Sequence, residues 1–244
     1  MASRHIMQLK ANLVGSHIPI WREFQVMDDV KFSRLAYIIM TMFEMEASHL
    51  FDFDIDRAIY WKKNKFEYID PDEVIADLEK RKMRYIKVEL PNEWSEDFNR
   101  ELLLDASKEK VRRYLEEGGG EMVFTYDFGD NWEVRIVLQD IFDDKDVPGK
   151  DLPRVIAGKG YGIIENCGGV GGLEVLDKAF KTKGDGYEEY AEWLGVTSLN
   201  LRAFDIDDMN FRLKKVPRIY RDIYEFRLEP TEQSWKILGR EYIK

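Results

Sequence analysis

The run Tyr126-Asp127-Phe128-Gly129-Asp130-Asn131-Trp132-Glu133 carries three carboxylates close together. Brought to one point, Asp127, Asp130 and Glu133 would form a cluster able to hold a hard divalent cation or to move protons. The same residues have a plainer source. Asp130-Asn131 is turn chemistry, and Asp127 and Glu133 alternate outward from the Tyr126 and Trp132 faces of two strands. This structural account is the one the sequence favours. His49, one of three histidines, has no nearby cysteine or second histidine, so it reads first as a packing residue and only second as a ligand. Asp52, Asp54 and Asp56 imitate the start of a calcium loop, but Arg57 stands where glycine is needed and Lys63 where the closing glutamate is needed. Between Gly158 and Gly172 lie seven glycines in neither dinucleotide-binding nor P-loop spacing. Gly168-Gly169, ahead of a helix, could offer backbone N–H groups to an anion. A tight loop against the hairpin, with Cys167 buried, is the favoured reading. No nucleophile elbow, zinc-protease pair or kinase set is present, so nucleophilic catalysis is unsupported. Arg212, Lys214, Lys215, Arg218 and Arg221, with Tyr220 and Tyr224, are the one stretch suited to a nucleic-acid backbone.

Charge argues against that last use. The 244 residues carry 37 Lys plus Arg against 47 Asp plus Glu, a net charge of -10, and the averaged field repels phosphate and anionic lipid. With 44% hydrophobic and 34% charged residues the chain is globular. A lone cysteine, Cys167, excludes an intrachain disulfide and a thiolate metal cluster and suits a reducing cytoplasm. The apolar run Leu35–Phe43 is far shorter than the roughly 20 residues of a membrane span. Met1 to Met7 lacks the apolar core of a signal peptide and is open to being read as a leader. A cytoplasmic protein with no membrane partner is expected.

Several elements are expected to position the candidate residues. Two strands, 8–14 and 18–26, meet at Gly15-Ser16-His17. Leu35, Ile38, Ile39, Met42 and Phe43 fall at helical spacing, with Ser33 or Asp29 as cap. Phe51, Phe53 and Ile55 alternate with acids, predicting a strand with a solvated acidic face. A hairpin is predicted over 58–69, a helix from Pro71 to about Lys80, a strand over 85–90, and irregular chain over 91–99. Ser107 is expected to cap a helix to Glu117, ended by Gly118-Gly119-Gly120. In the central hairpin Phe124, Tyr126 and Phe128 share one face with Trp132, Val134 and Ile136. A solvated loop over 143–151 separates a sheet-rich part, to about 142, from a helical part at about 152–215. Helices are predicted at 173–180, 187–194 and 205–215, the last capped by Asp205. The fold class is α+β: a mixed, mainly antiparallel sheet with packed helices and a helical C-terminal part. Residues 8–215 form the domain, and 216–244 an extension docked on it.

Several segments in chain order resemble a known family. They are Gln8-Leu9-Lys10 with Ile18-Pro19-Ile20-Trp21-Arg22, Phe32 through Phe43, Ser48-His49-Leu50 with Phe53, the Tyr126–Glu133 block, Glu165-Asn166-Cys167-Gly168-Gly169 with Gly172, and Trp193 to Phe204. Together they are similar to the Ri-plasmid open-reading-frame-three-like family, also met as passenger proteins of insertion elements. The likeness covers roughly residues 8 to 215 and implies an α+β domain with no established activity. Where relatives often have histidines, this chain has Val134 and Phe51. A family cysteine is absent between Leu152 and Gly158, and Ile163-Ile164-Glu165-Asn166 replaces a Pro-Pro-Glu-Asp run. On those departures neither a metal nor another cofactor is expected. The leading expectation is a non-enzymatic binding or adaptor domain whose surface meets a protein or small ligand through His49, Tyr126, Asp127, Asp130, Trp132, Glu133, Gly168 and Gly169. The alternatives are a divalent-metal-dependent hydrolase or nuclease built on the carboxylates and His49, and a nucleic-acid-binding accessory of mobile elements.

Overall fold

The computed structural model describes residues 5–56, 70–80, 85–91, 103–115 and 120–242. Eight strands form one sheet: β1 (His5–Leu13), β2 (Trp21–Met27), β3 (Phe51–Asp56), β4 (Tyr85–Glu89), β5 (Leu103–Asp105), β6 (Glu121–Tyr126), β7 (Trp132–Asp143) and β8 (Arg154–Lys159). Their order is β5-β4-β3-β6-β7-β1-β2-β8. Every neighbouring pair is antiparallel except β4 with β5. With helices packed on the sheet, the molecule is α+β.

The central hairpin pairs Met122 with Ile136, Phe124 with Val134 and Tyr126 with Trp132, and all six side chains are buried. Period-two alternation puts them on one face, where each large apolar group contributes about 1.5–3 kcal/mol. Phe128 does not join them; it is 52% exposed. The strand stops at Tyr126 and Asp127 turns left-handed at φ 55°, so alternation ends one residue before Phe128.

Helix α1 (Phe32–Met42) lies against this sheet and is buried at every residue except Arg34. The sequence shows one apolar stripe; the rest is covered because α5 (Ile206–Leu213) and α6 (Val216–Phe226) pack on it. Neither Ser33 nor Asp29 caps α1. Lys31 occupies the cap position without a side-chain bond, and the first N–H groups reach loop carbonyls instead, Phe32 N to Glu109 O (3.1 Å) and Ser33 N to Ala106 O (2.9 Å). This explains why no helix begins at Ser107. The Ser107 hydroxyl donates to Asp105 Oδ1 (2.7 Å), Ala106 N donates to Glu89 O, and only a short 3-10 turn forms at Val111–Arg113. The loop's backbone groups serve β4 and α1 rather than a helix of their own.

Helix α2 (Pro71–Lys80) carries Asp72 and Glu73 in its first turn, which suits the positive helix end. Helix α3 (Gly169–Thr182) begins inside the glycine segment and α4 (Tyr187–Leu194) follows it. Asp205 caps α5, accepting from Asp207 N and Asp208 N. Strand β8 pairs with β2, so the stretch assigned to a helical part opens with a sheet edge. Ile6 and Met7, grouped with a leader in the sequence reading, are fully buried in β1. Helix α6 and α7 (Glu232–Leu238) form most of the extension. The predicted hairpin over 58–69, most of 91–99 and the glycine stop at 118–119 lie outside the described residues. Among the described residues no helix is long and apolar enough to cross a membrane.

Candidate functional site

Three acid–base side chains from distant parts of the chain meet at one end of the central hairpin: His49, Asp127 and Glu165. His49 Nε2 stands 3.5 Å from Asp127 Oδ2 and 3.6 Å from Glu165 Oε2. One ligand atom from each residue lies within 4.8 Å of the other two. The His49 side chain is 32% exposed, Asp127 12% and Glu165 5%, so the site opens on the imidazole side and closes on the glutamate side.

Each group is held by a local device. Asp127 follows the last residue of β6 in the left-handed region, a costly conformation for a non-glycine residue. Its N–H donates to Leu50 O (3.1 Å) and its carbonyl accepts from Asn131 N (2.6 Å). Gly129 N binds Asp127 Oδ1 (3.0 Å), an Asx turn that leaves Oδ2 facing His49. Glu165 arrives on the chain leaving β8. That segment crosses behind the end of α1, with Ile163 N donating to Phe43 O (2.9 Å). Gly162 permits the crossing, since a Cβ there would sit 2.5 Å from Phe43 O. His49 lies in the loop between α1 and β3, its ring edge-on to Tyr126 at 5.7 Å.

Glu165 is half satisfied. Its Oε1 accepts from Glu46 N (2.8 Å) and Tyr126 Oη (2.8 Å), whereas Oε2 is buried without a hydrogen-bond partner. Burial pushes the Glu165 carboxyl above its usual range, against the bonds from Glu46 and Tyr126. Burial likewise raises the Tyr126 phenol, keeping it a neutral donor. The separations from His49 to the two carboxylates exceed the 2.7–2.9 Å typical of a charge-assisted hydrogen bond. They approach the roughly 3.3 Å edge of a tetrahedral shell with 2.0–2.1 Å bonds.

A family model, the plasmid pRiA4b ORF-3-like protein, matches residues 5–212. The chain belongs to that family. A solved structure of a protein of unknown function from Methanosarcina mazei Go1 is similar at 26% identity and a TM-score of 0.65, covering 85% of this chain and 98% of that one. No curated protein matches. For the pRiA4b ORF-3-like chain, the block from Tyr126 to Glu133 and the segments around His49 and Glu165 thus fall inside the family-matched region and converge in space.

The convergence is selective. Asp127 and His49 meet, but Asp130 and Glu133 do not join them. Asp130 Oδ2 accepts from Gly168 N (3.3 Å) at the start of α3, placing a carboxylate from the same chain at the helix end considered for an anion. Gly169 packs on the hairpin, a Cβ there falling 2.5 Å from Asp130 O. Glu133 Oε1 takes a bond from Asn131 Nδ2 (3.2 Å) on the exposed turn. Trp132 is fully buried with an unpartnered Nε1, a core residue of the hairpin, and Tyr126 supports Glu165. Cys167 is half-buried rather than buried as expected, and the covering it does have pushes its thiol up to about 12. The basic stretch is broken, because Arg212 is buried against Glu44 (2.7 Å) and Arg221 pairs with Asp222 (2.9 Å); Lys214, Lys215 and Arg218 remain exposed. Glu165 has no role in the sequence taken alone, which predicts no metal. Its signal was an isolated acid inside a glycine-dense segment, meaningful only once that segment is seen to cross toward the hairpin.

Proposed function

We propose that the protein binds a divalent cation of the zinc or manganese class through His49 Nε2, Asp127 Oδ2 and Glu165 Oε2. One imidazole and two carboxylates suit such ions. The observation that carries the reading is Glu165 Oε2, buried and unpartnered beside an imidazole and a second carboxylate at near-coordination spacing. Burying a carboxylate oxygen without a partner is costly, and a cation removes that cost. Three protein donors leave positions for water or a ligand oxygen. That arrangement is shared by metal-dependent binding sites and by sites that activate a water. The cation site departs from the sequence expectation of no metal; it draws on the hydrolase alternative for His49 and Asp127 and replaces Asp130 and Glu133 with Glu165.

The test is a thermal melt with Zn²⁺, Mn²⁺ or Co²⁺ against a chelator. A cation binding only the folded state adds about 2.7 kcal/mol of stability at a hundred times Kd and so raises Tm. Wild type is expected to shift, as are Glu133→Gln and Asp130→Asn, while His49→Ala and Glu165→Gln are not. A wild-type melt indifferent to all three ions, or an equal shift in His49→Ala, would sink the reading.

A further inference from the structure

The loop carrying His49 runs from Glu44 to Leu50 without helix or strand, and it bends through left-handed residues at Glu44 (φ 61°) and Ala47 (φ 60°). Such a segment owes its shape to its anchors. Two belong to the site itself: Glu165 takes the Glu46 N–H (2.8 Å) and Tyr126 Oη takes the Ser48 N–H (3.1 Å). Two others come from α6. Tyr220 Oη donates to Met45 O (2.6 Å), and Tyr224 Oη donates to the carbonyl of His49. Helix α6 lies wholly beyond the family-matched residues 5–212.

We propose that Tyr224, assisted by Tyr220, is a positioning residue for the cation site: its hydroxyl fixes the main chain of His49 so that Nε2 faces Asp127 and Glu165. The inference rests on the cation reading above. Tyr224 is itself firmly placed, its ring stacked on Tyr37 of α1 (5.7 Å, 19°) and edge-on to Phe51 of β3 (5.4 Å). Tyr37 Oη in turn donates to Glu225 Oε1 (3.0 Å). The hydroxyl therefore transmits a fixed position from the α1–α6 interface to the ligand residue. Groups that orient metal ligands typically change affinity 10- to 100-fold when removed.

Tyr224→Phe deletes that hydroxyl and keeps the ring packing. Co²⁺ titration is the measurement, because its visible spectrum reports the donor set and geometry as well as affinity. Tyr224→Phe is expected to melt cooperatively, to bind Co²⁺ about 10-fold more weakly than wild type, and to show an altered spectrum. Wild-type affinity and spectrum in Tyr224→Phe would overturn the inference while leaving the site intact. Should Tyr224→Phe fail to fold, Tyr220→Phe is read by the same criteria. Wild type taking up no Co²⁺ would instead overturn the site, and this inference with it.

Discussion

Asp52 shows at the scale of one residue how far burial departs from alternation. Its place between Phe51 and Phe53 predicts a solvated carboxylate, yet the side chain is only 5% exposed and Oδ1 has no hydrogen-bond partner. Lys87, diagonally across the β3–β4 ladder, reaches over to it and to Asp54. Burial outweighs that ammonium and raises the Asp52 carboxyl to about 6. The folded chain then holds this proton up to about pH 6, whereas the unfolded chain releases it near 4. Stability from the group is full below pH 4 and is lost as pH climbs through 6, on the order of 3 kcal/mol. Asp52→Asn should remove this part of the pH dependence. Compared by urea denaturation at pH 4.5 and 7, the variant is expected to gain on wild type as pH rises, and parallel behaviour would refute the assignment. Glu165 departs from expectation for the opposite reason, being set by a chain crossing that no local pattern announces.

Among the elements, Arg22 links several with one side chain. Fully buried on β2, it donates to Met42 O (3.1 Å), Trp21 O (2.9 Å), Lys159 O (2.8 Å), Gly160 O (2.8 Å) and Tyr161 O (2.7 Å). Its guanidinium also lies 4.0 Å from the Phe204 ring centre. One side chain thus joins the end of α1, the end of β8 and the glycine segment that delivers Glu165. Arg22→Met would leave these carbonyls without their donors and should cost about 4 kcal/mol or more in chemical denaturation; a loss under 1 kcal/mol would contradict this role. The contrast with the hairpin marks what sequence could convey. The β6–β7 faces, the α5 cap at Asp205 and the start of α2 were legible because each depends on residues a few positions apart. Strand β8, the loop that replaces a helix after Ser107, and the approach of Glu165 to His49 depend on partners far along the chain. Asp127 stands out by its place in the hairpin block and His49 by its type, whereas nothing local marks their third partner.

At the scale of the whole molecule, the extension divides into two parts with different duties. Helix α6 buries Val216, Pro217, Ile219 and Tyr220 against the rest of the fold, so it belongs to the core although the family match stops at residue 212. The chain after it is tied by ion pairs and by Ile237 and Leu238, half-buried against the core. Arg240 bridges Glu44 (2.6 Å) and Asp208 (2.9 Å), and Tyr242 donates to Asp208 (2.5 Å) with its ring 4.6 Å from Phe211. Glu44 keeps Arg212 when Arg240 is removed, which limits the damage. Truncation after Arg227 should therefore cost about 3 kcal/mol of stability or more, the loss expected when one partner of a buried ion pair is removed, and leave Co²⁺ affinity within a factor of about three because Tyr220 and Tyr224 remain. Truncation after Lys215 removes α6, uncovers α1 and should abolish cooperative unfolding. If the shorter truncation lost the cation while keeping its fold, the strap beyond α6 would have to act on the site, and the division argued from these contacts would be wrong.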